Sequence, residues 1–126
     1  MDVSLKFPEL TTNILSHIVK DAAELCPQVI AVGLVGSFAR GEQKHHSDVD
    51  LIVKSDNSIK FHEILEIFGE YVRHVLDYQF NKRLEIVRYE LAFDRANRDP
   101  REDEMWFYRD GFEQMFKEVI WLYEKR

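Results

Sequence analysis

The sequence predicts an α/β (α+β) fold, a mixed β-sheet with helices packed on it. Three observations carry that reading. Short β-branched runs alternate with segments of helical periodicity. A Gly-Ser pair ends the first β-branched run. Two aspartates one residue apart open the second. At 126 residues the chain has the size of one domain, so a single domain over 1–126 is expected.

The elements follow in order. Residues 8 to 25 read as a helix. Pro8 suits a first turn, and Ile14, Leu15, Ile18, Val19, Ala22 and Leu25 form an apolar stripe. Pro27 ends it. VIAVGLV, 29 to 35, reads as a buried strand. Gly36-Ser37 turns the chain into a short helix over Ser37 to Glu42, and QKHHS is loop. VDLIV, 49 to 53, is the second strand, and SDNS starts the next helix, 59 to 73. Two strands are predicted at 74 to 80 and 83 to 89, with Asn81-Lys82 as their hairpin turn. Residues 90 to 103 are a short helix and then loop. EMWFYR, 104 to 109, is a candidate last strand, and a final helix runs from Asp110 to about 124.

Composition narrows the function. Hydrophobic residues make up 45% and charged residues 32%, the balance of a soluble globular chain. No apolar run approaches the roughly 20 residues of a membrane span, and MDVSLKFPEL does not read as a signal peptide. A lone cysteine, Cys26, excludes an internal disulfide, and a reducing cytoplasm is the expected location. A net charge of -6 argues against general nucleic-acid binding, which needs a basic face. It leaves room for a nucleotide whose charge is balanced locally by a metal.

Asp48 and Asp50 carry the chemistry. Side chains alternate along a strand, so both point to one face. Carboxylates that close repel unless a cation sits between them, and Mg²⁺, a hard oxygen-seeking ion, suits the position. Gly36 allows close backbone approach to a ligand, Ser37 adds a hydroxyl donor, and Arg40 lies one turn on. A third acid would complete a two-metal site. Glu85, between Leu84 and Ile86, is the first candidate and also the candidate general base; Asp77 is the second.

Each piece alone has a plain structural reading. Asp-x-Asp is commonly a solvated turn, Gly-Ser an ordinary turn and Glu85 an edge-strand surface residue. Their order lifts the set. GSFARGEQKHHSDVDLIV resembles the signature of the minimal nucleotidyltransferases of the DNA polymerase β superfamily: Gly-Ser, ten residues, Asp-x-Asp. Gly36, Ser37, Ala39, Arg40, Gly41, Ser47, Asp48, Asp50 and Leu51 match its usual form, and YRDGF near the end resembles the tail of such domains.

The resemblance implies a polymerase-β-like nucleotidyltransferase fold. It also implies Mg²⁺-dependent transfer of a nucleotidyl group, usually AMP from ATP, to a hydroxyl. Gly36 and Ser37 would bind the triphosphate, and Asp48 and Asp50 the metals. The family's third carboxylate is usually an Asp, whereas Glu85 is one methylene longer. Minimal members often act as antitoxins beside a helical HEPN-type toxin and can modify a tyrosine on it. A contact-only antitoxin and a nucleotide sensor are the alternatives.

The remaining residues read more plainly. His45-His46 is a solvated loop rather than a zinc site, and Cys26 is a small buried residue. NRDPREDE, 97 to 104, is a solvated loop. On the predicted final helix, Phe112, Met115, Phe116, Val119, Ile120 and Tyr123 share a core face. Trp121 lies about 180° from Phe112 on a polar face, a hint of contact with a second protomer or a partner.

Overall fold

Helix α1, Thr12–Leu25, begins where a cap becomes available. The Thr11 hydroxyl accepts the Ile14 N–H at 3.1 Å and satisfies a donor that has no partner within the helix. Pro8 therefore stands outside the helix. Leu15, Ile18, Val19, Ala22 and Ala23 are buried along one stripe. The structure is a computed structural model, and it describes residues 7–44, 47–97 and 109–125.

Four strands form one mixed sheet: β1 Val29–Val35, β2 Val49–Ser55, β3 Leu84–Arg88 and β4 Ile120–Glu124. Their order is β3-β2-β1-β4. Strand β1 runs antiparallel to β2 and β4, and β2 runs parallel to β3. Strand β1 is apolar on both faces, whereas β2 is apolar on its core face and carries Asp50 and Lys54 on the other. Val32, Leu34, Leu51 and Val53 belong to the main core with α1, Phe68, Val72 and Leu76. On the opposite face Gly33 meets Val119 and Trp121, and the Lys54 ammonium lies 4.9 Å from the centre of the Tyr89 ring.

The predicted hairpin over 74 to 89 does not form. Helix α2, Gly36–Ala39, precedes β2, and a helical run follows it: α3 Phe61–Ile64, a π-helical turn Leu65–Gly69, and α4 Glu70–Phe80. Phe68, Val72, Leu76 and Phe80 are all buried, so the apolar spacing of four continues through the supposed strand. Asn81 caps α4 in the left-handed conformation, φ 53°. Its N–H bonds the Asp77 carbonyl at 3.1 Å, and the Lys82 N–H bonds the Leu76 carbonyl at 3.0 Å. Asn favours the left-handed region in a hairpin turn and at a helix end alike, so the dipeptide did not distinguish them.

The C-terminal prediction also changes. Helix α5 covers Tyr89–Asn97. Helix α6, Arg109–Glu118, stops short, and Ile120–Glu124 forms edge strand β4 instead of a last helical turn. The run IWLYE is β-branched and aromatic, and Gly33 of β1 opens room for it. A Cβ on Gly33 would stand 2.4 Å from Val119 Cγ2. Trp121 is thus a strand residue, 38% exposed, beside Gly33 and Tyr89, and not part of a polar helix face. Of the candidate strand at 104 to 109, residues 104–108 lie outside the described residues and Arg109 begins α6. His45-His46 and most of NRDPREDE also lie outside them. Among the described residues no helix is long and apolar enough to cross a membrane.

Candidate active site

Strand direction gathers the predicted residues at one edge. Because β1 is antiparallel to β2 and β2 parallel to β3, the end of β1 meets the beginnings of β2 and β3. Val35 pairs with Asp50, and Asp50 pairs with Glu85. Paired strands lie about 4.8 Å apart, so the Gly-Ser turn and both carboxylates become neighbours. Gly36 has φ +76°, and a Cβ there would stand 2.3 Å from Asp50 Oδ2. The glycine is required twice, by its own backbone and by the aspartate it faces.

The carboxylates perturb one another. Asp50 rises from 3.8 to about 6, first because burial disfavours its charge. A hydrogen bond with Glu85 and the negative charges of Glu85 and Asp48 push the same way, while Arg40 opposes them. Asp50 thus keeps its proton to a higher pH than a free carboxylate, because its charged form is half-buried beside other acids. Glu85 itself is exposed: Leu84 and Ile86 pack toward the core, and strand alternation turns Glu85 to the other face. Its apolar neighbours therefore do not bury it.

Asp77, the second candidate, stands on α4 and not on a strand. It nevertheless lines a 580 Å³ pocket together with Asp48 and Glu85. His74, Lys82 and Arg83 line the same pocket, and none of them was singled out from the sequence. A helix face and the loop after it bring them there, which only the corrected course of α4 makes visible.

Ser37 is half-buried on α2. Arg40 is committed to other acids: Nε donates to Glu42 at 2.9 Å and Nη1 to Glu118 at 3.1 Å. These bonds raise its pKa further and keep it charged beside the site. Glu118, at the end of α6, is 78 residues away in the chain, and no local pattern points to it as a partner.

Among the described residues no three His, Cys, Asp or Glu side chains form a ready-made ligand set. Asp50 and Glu85 bond to each other instead. The donor chemistry still fits a hard divalent cation: all three groups are carboxylates, and their mutual repulsion is what such a cation relieves.

A mixed sheet with adjacent carboxylates at the edge where a Gly-Ser turn enters defines an α/β domain of the nucleotidyltransferase class. Residues 17–98 match the family described as Polymerase beta, Nucleotidyltransferase, and the chain belongs to that family. A relative from Methanocaldococcus jannaschii, named "Putative protein adenylyltransferase MJ1379", is 43% identical over 51 residues. That match covers 39% of this chain and 50% of the relative, so it spans about half the relative's length. Two solved structures share the fold. A toxin-antitoxin with AMP-PNP has a TM-score of 0.53 at 14% identity, covering 88% of this chain and 74% of that one. The toxin-antitoxin MntA-HpeT, a mutant form, has a TM-score of 0.51 at 13% identity, covering 93% and 75%.

Proposed function

We propose that the protein transfers a nucleotidyl group, AMP from ATP in the first instance, to a hydroxyl of a protein. The observation that carries this reading is the contact of Gly36 with Asp50, with Asp50 in register with Glu85. It joins the proposed triphosphate turn, Gly36 and Ser37, directly to the proposed catalytic carboxylates Asp48, Asp50 and Glu85. The acceptor oxygen attacks the α-phosphorus and forms the new O–P bond. The bond from that phosphorus to its bridging oxygen breaks, and pyrophosphate leaves. The acceptor proton passes to Glu85, the candidate general base beside Asp50. Asp48, Asp50 and Glu85 would hold Mg²⁺, which when bound supplies charge stabilisation to the phosphoryl oxygens. Arg40 adds positive charge beside the triphosphate.

The names of the relatives support a protein acceptor. The curated one bears the name of a protein adenylyltransferase, and the structural ones are toxin-antitoxin complexes. A helical HEPN-type protein in the cytoplasm is the proposed partner. Trp121 on the exposed edge strand is the proposed contact with it or with a second protomer. The engagement of Arg40 by Glu42 and Glu118 favours a second reading, an antitoxin that acts by contact alone.

The test uses ATP labelled on its α-phosphate, Mg²⁺ and the proteins encoded beside this chain. The label is expected on a protein with the native chain and absent with Asp48→Asn, Asp50→Asn together. Label transfer that survives the double substitution removes the assigned site. A double variant that still binds and neutralises the partner, with no transfer by the native chain, supports the contact-only reading.

A further inference from the structure

The pocket beside the carboxylates lies on the opposite flank from Gly36-Ser37. In the order β3-β2-β1-β4, Gly36 and Ser37 follow β1, whereas the pocket is built by the start of β3 and the exposed side of α4. Asp48 and Glu85 are among its lining residues. Donor and acceptor in an in-line displacement occupy opposite sides of the reacting phosphorus. On the function proposed above, the turn side takes the nucleotide and the pocket side takes the acceptor. Its 580 Å³ suits a side chain with part of its backbone.

The walls say what kind of acceptor enters. Among the described residues Leu84 is the only apolar side chain lining the pocket, so a purely apolar group gains little there. Glu70 is already bound by Arg73 through both carboxylate oxygens. The His74 ring stacks on Tyr78, with centroids 5.3 Å apart. Arg83 differs from these. Among the described residues its guanidinium makes no ion pair or side-chain hydrogen bond. Its backbone is fixed at the mouth of the site, where its carbonyl accepts the Val49 N–H at 2.8 Å. Arg83 stands directly before β3 and lines the pocket together with Asp48 and Glu85. A guanidinium held there offers a planar fork suited to a carboxylate.

We propose that this pocket is the acceptor subsite, and that Arg83 selects a hydroxyl-bearing peptide segment with an acidic residue beside the hydroxyl. The hydroxyl residue reaches inward to Asp48 and Glu85 while its acidic neighbour stops at Arg83. A peptide fits better than a nucleic acid, because a chain of net charge -6 disfavours a long phosphate backbone but loses little against a single carboxylate.

The experiment compares tyrosyl and seryl peptides flanked by Glu, by Gln or by Lys. Transfer of α-phosphate label from ATP is measured with the native chain, Arg83→Gln and Arg83→Lys. The native chain is expected to favour Glu over Gln flanks by about tenfold in kcat/KM, with Lys flanks worst, the scale of one charge-assisted bond. Arg83→Gln should bring the Glu-to-Gln ratio to about one, and Arg83→Lys should restore part of it. Because each variant is scored by a ratio of two peptides, a general loss of activity does not imitate the result. Equal use of Glu and Gln peptides by the native chain, or a preference that survives Arg83→Gln, overturns the assignment. Calorimetric binding of the same peptides decides the pocket separately from the reaction. Binding of the Glu peptide that weakens with Arg83→Gln keeps the subsite even where no label moves, a result that removes the proposed transfer alone. Binding equal for Glu and Gln peptides removes the subsite.

Discussion

Replacing Asp50 by Asn should make the isolated protein more stable, and only above a defined pH. Folded Asp50 titrates near 6 against an ordinary value of 3.8. Between those values the folded chain binds more protons than the unfolded one, so stability falls as pH rises through that window. The full loss is reached above about pH 6. A shift of that size corresponds to about 3 kcal/mol at most. Asp50 is only half-buried, and solvent screening reduces the figure to about 1–2 kcal/mol. Asn imitates the protonated acid in size and can donate to Glu85 as the acid O–H does. At a chain length of 126 the gain is roughly 4–8 °C in Tm. Thermal melts of native and Asp50→Asn protein at pH 4 and pH 7.5, without divalent ions, measure it. The gain should be present at pH 7.5 and near zero at pH 4. An equal effect at both pH values, or a loss at pH 7.5, refutes the account of crowded carboxylates. Mg²⁺ added at pH 7.5 should raise the Tm of the native chain more than that of the variant, because relief of repulsion is what the cation contributes.

Two further substitutions test neighbouring parts of the argument. Gly36→Ala places a Cβ at φ +76° and against Asp50, so a loss of about 1–3 kcal/mol in urea unfolding is expected, with weakened ATP binding by calorimetry. Stability and binding equal to the native chain would show that the turn does not abut the aspartate. Trp121→Ala removes a ring packed near Gly33 and Tyr89, partly exposed, and should cost about 2 kcal/mol in Tm-derived stability. It should also lower the mass by light scattering of any assembly, and an unchanged mass, alone and with the partner, ends its role as an interface.

The elements that fill the sheet centre were legible because their signal is local. VIAVGLV is apolar on both faces and VDLIV at all but its aspartate position, which suits central strands, and the structure places both there. The strand expected at 83 to 89 forms as β3, whereas the segment from 74 to 80 is helical, and the reason it reads as a strand is equally local. Asn81 suits two turn types, and the deciding feature was burial of Leu76 and Phe80 against a layer formed by distant segments. IWLYE likewise became a strand because Gly33, far away in sequence, leaves space beside β1. A helical wheel drawn through Trp121 had no access to that space.

The sequence by itself determined the motif: a glycine that permits a tight turn, a serine after it, and two aspartates held to one face by strand alternation. Those are rules of backbone geometry within a few residues, and they need no tertiary contact. Only the tertiary structure decided which strand lies beside which. Parallel pairing of β2 with β3 set Glu85 against Asp50, and the course of α4 carried Asp77 and His74 toward Asp48. Pairing and direction depend on how the apolar faces of separate segments cover one another, and no short stretch of residues contains that information.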